Sequence, residues 1–93
     1  MTSSTASRRV VKIQNRLGLH ARPAAMFAEC ANHYRSDVRV TKDGFEANAK
    51  SVLNVMMLAA ELGSTLEIVA EGDDAEAAVE SLVSLVDSRF GED

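Results

Sequence analysis

The segment Gly18-Leu19-His20-Ala21-Arg22-Pro23 is the part of the sequence best suited to chemistry. It places a histidine just before a predicted helix, where unpaired N–H groups and the positive end of the helix dipole favour an anion and disfavour an imidazolium. A neutral His20 has a nitrogen lone pair that is free to attack. Arg22, two residues on, can direct its guanidinium onto phosphate oxygens. The same groups that disfavour a cation would stabilise a phosphoryl group bound to the ring.

Spacing alone leaves a second interpretation open, in which His20 is a capping or surface residue. A metal site is not indicated, because the other histidine, His33, stands at the far end of the same predicted helix, where positive charge is favourable. No Ser/His/Asp arrangement and no Gly-rich phosphate loop accompany His20. We therefore expect no metal, no cofactor and no independent catalyst.

A second informative segment is the predicted helix Val52–Ala60, in which only Asn54 is polar. A helix that packs on a core needs apolar residues on about half of its circumference. We expect Val55, Leu58 and Ala59 to face the sheet. The remaining apolar residues then form an exposed patch that favours a partner. This apolar patch consists of Val52, Leu53 and Met56, and the alternative is a short helix buried on all sides.

Ser51 precedes this helix and is predicted to be its N-cap. A phosphate on its hydroxyl would meet the positive end of the helix dipole, so it need not unfold the helix. It would also add about two negative charges beside the apolar patch. Ser51 is therefore a candidate for regulatory phosphorylation that blocks a partner.

Alternating strands and helices must position these residues. Alternating patterns predict strands, and amphipathic patterns predict three helices. Pro23 is expected in the first turn of the first helix, Gly63 at the C-terminal end of the second, and Asp73 or Asp74 as the N-cap of the third. One sheet with one apolar face and several amphipathic helices implies two layers. The predicted elements, in the order βαββαβα, are 9–14, 23–33, 38–42, 45–48, 52–60, 65–70 and a last helix with an apolar stripe from Ala75 to Phe90.

Length and charge limit the function. The 93 residues suit one small domain, predicted over 8–93 after a flexible tail, 1–7, that lacks the apolar region of a signal peptide. A net charge of −4 argues against nucleic-acid binding, and no apolar run is long enough for membrane insertion. The single Cys30 excludes an internal disulfide, fits a cytoplasmic protein and is expected to pack on its helix. The acidic C-terminal third is expected to be solvated.

The His20 motif and the block Ala49-Lys50-Ser51-Val52-Leu53 together resemble the HPr phosphocarriers of the bacterial phosphoenolpyruvate-dependent phosphotransferase system. The resemblance runs from about residue 9 to 93. It implies an α+β fold, an open-faced β-sandwich whose four-stranded antiparallel sheet is covered on one face by three helices. It further implies that His20 accepts phosphate on Nδ1 from phosphorylated Enzyme I and donates it to Enzyme IIA domains, with Arg22 stabilising the phosphate.

The resemblance also implies that Ser51 matches the regulatory serine phosphorylated by an HPr kinase/phosphorylase. Asn54 stands where many kinase-regulated members have glycine, and the segments 55–60 and 89–93 look more like the nitrogen-related branch, NPr. The sugar and nitrogen branches therefore stay open. The alternative function is a regulatory binding module of the nitrogen-related branch whose phosphorylation state controls its partners. A monomer is expected, as befits a shuttle.

Overall fold

The computed structural model describes residues 5–93, which form four strands and three helices. The order is βαββαβα, as predicted, and a short turn follows the last helix. The strands are β1 (Ala6–Lys12), β2 (Asp37–Lys42), β3 (Phe45–Asn48) and β4 (Thr65–Glu71). The helices are α1 (Ala21–Asn32), α2 (Val52–Met57) and α3 (Ala75–Asp87), and the C-terminal turn is Arg89–Gly91.

The strands form one antiparallel sheet in the spatial order β1-β4-β2-β3. The register sets apolar residues opposite one another: Val11 pairs with Leu66, Ile68 with Val40, and Val40 with Ala47. All five are buried. Because side chains alternate between the two faces of a sheet, this register directs one apolar row from every strand to the same side.

The three helices cover that apolar side of the sheet and leave the other open, which confirms the predicted open-faced β-sandwich. α1 packs against α2 and α3, and α3 also packs on β1 and β4. The largest fully buried side chains come from both layers and include Ile13, Phe27, Leu66, Ile68, Leu82 and Phe90. Cys30 is half-buried and packs against this core, as predicted.

The N-terminal boundary differs from the prediction. Ala6 and Ser7, placed in a flexible tail, belong to β1 and pair with Glu71 and Ala70 of β4. The sequence could not show this, because these two small residues adopt a strand conformation by pairing with β4 rather than from a pattern of their own. Residues 1–4 of the predicted tail lie outside the described residues.

The second helix is shorter than predicted. α2 ends at Met57, and Ala59 adopts a left-handed conformation with φ of 51°, so the chain turns before Gly63 can end the helix. Val55 and Leu58 are buried as expected, but Ala59 is exposed and Ala60 is buried in its place. The turn interrupts the helical spacing of apolar residues from which the burial of Ala59 was predicted.

The capping prediction for α3 holds only for the backbone. Asp74 is the N-cap residue, but its carboxylate makes no capping hydrogen bond in the helix. Its oxygens instead accept from the backbone N–H groups of Arg35 and Ser36, each at 2.9 Å, and from the Ser36 hydroxyl. Asp74 therefore joins the start of α3 to the segment before β2. In residues 5–93, no helix is long and apolar enough to cross a membrane.

Candidate functional site

His20 is the N-cap residue of α1, which begins at Ala21, two residues before the predicted start. Its backbone is extended, with φ of −73° and ψ of −174°, and its side chain makes no capping hydrogen bond. The carbonyl of His20 accepts from the N–H of Ala24 at 2.9 Å, which closes the first helical turn. The N–H groups of Ala21 and Arg22 have no acceptor within the helix, and Pro23 has no N–H. The histidine ring, 37% exposed, thus stands beside a helix N-terminus suited to an anion.

Gly18 fixes the loop that leads to this position. Its φ is +67°, and a Cβ there would collide with the Ala60 carbonyl oxygen and lie 2.9 Å from the Glu61 Cα. The next residue, Leu19, is buried and donates its N–H to the same Ala60 carbonyl at 2.9 Å. The loop before His20 is therefore held against the segment that follows α2, close enough that only glycine fits.

The C-terminal segment supplies a carboxylate that the sequence analysis did not assign to the site. Glu92 Oε1 lies 2.9 Å from His20 Nε2, and Glu92 Oε2 accepts from Arg22 Nη1 at 2.7 Å. Arg22 Nη1 also donates to the Phe90 carbonyl at 3.1 Å. The Glu92 side chain is only 20% exposed, so the expectation of a solvated acidic tail is wrong at this residue. A lone glutamate 72 positions from His20 gives no local signal of this contact.

Asn15 is a second residue that the sequence analysis missed. It is fully buried, and its Nδ2 donates to the Gly18 carbonyl at 2.8 Å and to Glu92 Oε1 at 3.0 Å. Its Oδ1 has no partner in the part of the chain that the structure describes. A buried asparagine that links the His20 loop to Glu92 could not be told from an ordinary loop residue by sequence pattern alone.

The charges around Glu92 act on its protonation. Hydrogen bonds from His20, then Asn15 and Arg22, lower the pKa of the Glu92 carboxyl below its usual value, although partial burial opposes them. Glu92 is therefore ionised at neutral pH. The site thus combines an imidazole, a guanidinium and a carboxylate around one helix N-terminus.

Ser51 lies where the sequence places it, at the N-cap of α2. Its Oγ accepts from the N–H of Asn54 at 3.2 Å, and the residue is half-exposed. The preceding Lys50 is bonded to the last residue of α1 and to the segment that follows it, because its carbonyl accepts from Asn32 Nδ2 at 3.0 Å and its Nζ donates to the Tyr34 carbonyl at 2.7 Å. Ser51 therefore begins α2 next to a residue that is hydrogen-bonded to the C-terminal end of α1.

The apolar patch is exposed, which agrees with the predicted orientation of α2. Val52, Leu53 and Met56 are 39%, 73% and 40% exposed, while Val55 on the opposite side of the helix is fully buried. Met57, the last residue of α2, is also exposed, and so are Leu17 and Leu62 in the loops before α1 and after α2. Because the Ala60 carbonyl is bonded to Leu19, the end of this segment adjoins the His20 loop.

The arrangement has a recognised counterpart among known proteins. The family model described as "PTS HPr component phosphorylation site" matches residues 7–88. The chain belongs to the HPr family.

Individual HPr relatives cover nearly the whole chain. This chain and the phosphocarrier protein HPr of Cupriavidus necator are 42% identical over 80 residues. The aligned residues cover 86% of this chain and 90% of that protein. The crystal structure of HPr-C-His from Thermoanaerobacter tengcongensis superposes with a TM-score of 0.90 and 42% identity over 94% of this chain and 98% of that one. A crystal structure described as an HPr dimer from the same organism has a TM-score of 0.76 and 45% identity, covering 88% and 94%.

As a member of the HPr family, the protein is a phosphocarrier of the phosphotransferase system. The family implies partners from that system, such as Enzyme I and Enzyme IIA. Within residues 5–93, no group of three or more His, Cys, Asp or Glu side chains is placed to hold a metal ion. The side chains that meet at the site are those of His20, Arg22, Asn15 and Glu92.

Proposed function

We propose that His20 accepts a phosphoryl group from phosphorylated Enzyme I and passes it to Enzyme IIA proteins. The Nδ1 atom of His20 attacks phosphorus, a new N–P bond forms, and the N–P bond to the donor histidine breaks. The return step toward the acceptor histidine is the same reaction in reverse. The observation that supports this role is the half-exposed ring at the N-terminus of α1, with Arg22 two residues away.

Two features favour a phosphoryl group at this place. The free N–H groups at the start of α1 can donate to its oxygens, and the helix dipole stabilises its negative charge. The Arg22 guanidinium, which is 55% exposed, can stabilise the same charge by hydrogen bonds. Nδ1 is the ring nitrogen proposed for attack, since Nε2 already faces Glu92. No metal or other cofactor is required on the carrier.

The apolar patch of Val52, Leu53 and Met56 is proposed as the common surface for these partners. A carrier that binds several partners in turn must release each one quickly, so a small and adaptable contact is favourable. Methionine suits partners of different shapes, because its side chain is flexible. We propose that the carrier acts as a monomer in the cytoplasm, where its partners reach His20 and this patch together.

Ser51 is proposed as a regulatory phosphorylation site for an HPr kinase/phosphorylase. The residue is half-exposed, and its hydroxyl oxygen already accepts from the Asn54 N–H in the first turn of α2. A phosphate there would be accommodated by the helix N-terminus, so the expected effect is electrostatic rather than structural. The added negative charge would lie next to Val52 and would oppose the burial of the patch by a partner.

A phosphorylation assay tests the role of His20. With Enzyme I, phosphoenolpyruvate and Mg²⁺, the protein should gain one phosphate that is acid-labile and stable to base. His20→Ala should take up none. His33→Ala is the matched control, because it removes the other histidine, an exposed residue at the C-cap of α1, and should leave the uptake unchanged. Equal labelling of His20→Ala and the unmodified protein would refute the proposal.

A further inference from the structure

Three N–H groups converge on the single carboxylate of Glu92. Nε2 of His20 and Nδ2 of Asn15 lie 2.9 and 3.0 Å from Oε1, and Nη1 of Arg22 lies 2.7 Å from Oε2. Both carboxylate oxygens are therefore engaged, and the contacts come from the loop before α1 and from α1 itself. This is a built site, and the phosphoryl transfer described above does not by itself explain it.

The ionised carboxylate decides where the proton on the histidine ring resides. A carboxylate without its proton can only accept hydrogen bonds, so Nε2 of His20 must be the donor. When the ring is neutral, Nδ1 then has the lone pair. Among the described residues, Nδ1 has no hydrogen-bond partner, so that lone pair is free.

The backbone that delivers Glu92 is strained and firmly anchored. Arg89, Phe90 and Gly91 have φ values of 60°, 54° and 72°, three left-handed residues in succession. Two of them have side chains, and each such residue costs about 1–2 kcal/mol in this conformation. The side chain of Phe90 is fully buried in the core and its carbonyl binds Arg22, which stabilises the turn. A strained segment that ends on a reactive side chain is typical of a functional constraint.

We propose that Glu92 is a positioning residue for His20, which holds the proton on Nε2 and balances the charge that develops during transfer. The inference rests on the proposed function. When Nδ1 bonds to phosphorus, the ring keeps its Nε2 proton and becomes cationic, and the donor histidine retains the electron pair of the broken N–P bond. The carboxylate, in contact with that proton, stabilises the positive charge. An aspartate holds the histidine of a Ser-His-Asp triad by the same logic.

The same carboxylate also neutralises Arg22, which could otherwise bind the incoming phosphoryl group. If that competition dominated, removal of the Glu92 charge would speed the transfer. The geometry favours the positioning role, because Glu92 contacts the ring at Nε2, on the opposite side from the attacking Nδ1. Arg22 has further donors that remain available for phosphate, since only Nη1 is engaged here.

The decisive variant is Glu92→Gln, which keeps the shape and removes the charge. An amide has one acceptor oxygen for three converging donors, so at least one contact is lost. At saturating phosphorylated Enzyme I, we expect the rate of phosphoryl uptake to fall about three- to tenfold, since a hydrogen bond to a charged group is stronger than one to a neutral group. The concentration of Enzyme I at half-saturation should stay the same. Glu92→Asp should give an intermediate rate.

Asp93→Asn is the matched control for loss of a carboxylate in the same segment. The Asp93 side chain is exposed and makes no hydrogen bond or ion pair with another residue of 5–93, so the uptake rate should not change. A readout that is independent of activity is the ¹⁵N spectrum of the histidine ring. In the unmodified protein, the Nε2 proton should be protected and visible. In Glu92→Gln it should exchange with water and disappear.

An unchanged or faster uptake in Glu92→Gln would overturn the inference, and faster uptake would assign Glu92 to competition for Arg22. A proton on Nδ1 of the neutral ring in the unmodified protein would also overturn it. These results differ from a failure of the proposed function, in which the unmodified protein takes up no phosphate at all. The ring spectrum reports on the contact between His20 and Glu92 in either case.

Discussion

Replacement of Gly18 by alanine tests whether close approach of two backbone segments positions the His20 loop. Gly18 is buried, has a φ of +67° and lies against the segment after α2. An added Cβ would collide with the Ala60 carbonyl oxygen, which accepts the hydrogen bond from Leu19. The variant must therefore move backbone, because no flexible side chain is there to yield.

The expected cost of Gly18→Ala has two parts. The left-handed conformation costs about 1 kcal/mol for alanine relative to glycine. Overpacking against fixed backbone costs about 1–3 kcal/mol, and a weakened Leu19–Ala60 hydrogen bond about 1 kcal/mol more. The sum, about 3–5 kcal/mol, lowers Tm by at least about 15 °C in a domain of this size.

Gly44→Ala is the matched control, because Gly44 has a φ of +82° but no heavy atom within 4 Å of the added Cβ. It should cost only the backbone part, about 1 kcal/mol, or roughly 4–8 °C in Tm. Thermal unfolding followed by circular dichroism measures both variants. Phosphate uptake should be slowed in Gly18→Ala alone. Equal Tm losses would refute the reasoning, since the close approach would then contribute nothing.

Three further predictions concern the partner surface and the fold. Leu53→Glu should weaken the interaction with Enzyme I at least about tenfold with little change in Tm, because the side chain is 73% exposed. Binding is measured by titration, and the control is Val10→Glu, which introduces the same charge on the open face of the sheet and should leave the affinity unchanged. Ser51→Asp should weaken the same binding while the far-ultraviolet spectrum and Tm stay nearly the same, and unchanged affinity would remove the electrostatic argument. Hydrogen bonds from the Ser36 hydroxyl and the Arg35 N–H lower the pKa of Asp74 to about 2. Its contribution to folding stability is therefore fully present above the unfolded-state pKa of about 4 and is lost as pH falls toward 2. Asp74→Asn should therefore have a lower Tm at pH 7 and a smaller Tm decrease between pH 5 and pH 2, and parallel Tm curves for the two proteins would contradict this.

The elements that the sequence predicted well are those whose own pattern fixes their orientation. The stripe along α3 buries Ala75, Ala78, Val79, Leu82 and Val86, and the alternation in β4 buries Leu66, Ile68 and Ala70. Burial follows directly from such periodicity, because a residue on the wrong face would expose apolar surface. The end of α2 was predicted poorly, since its apolar residues continue past Met57 without a period that shows where the helix turns.

The residues of the candidate site also fall into two groups, those with a local sequence signal and those without one. The positions of His20, Arg22 and Ser51 at the starts of helices could be predicted from the sequence because a helix N-terminus is a local feature, and its N–H groups act on residues that adjoin it in the chain. Only the tertiary structure placed Asn15 and Glu92 against His20. Residues 15 and 92 meet because Phe90 is buried beneath the helices and the left-handed turn redirects the chain toward α1. Contacts of this kind depend on how the whole core packs, and no short stretch of sequence specifies them.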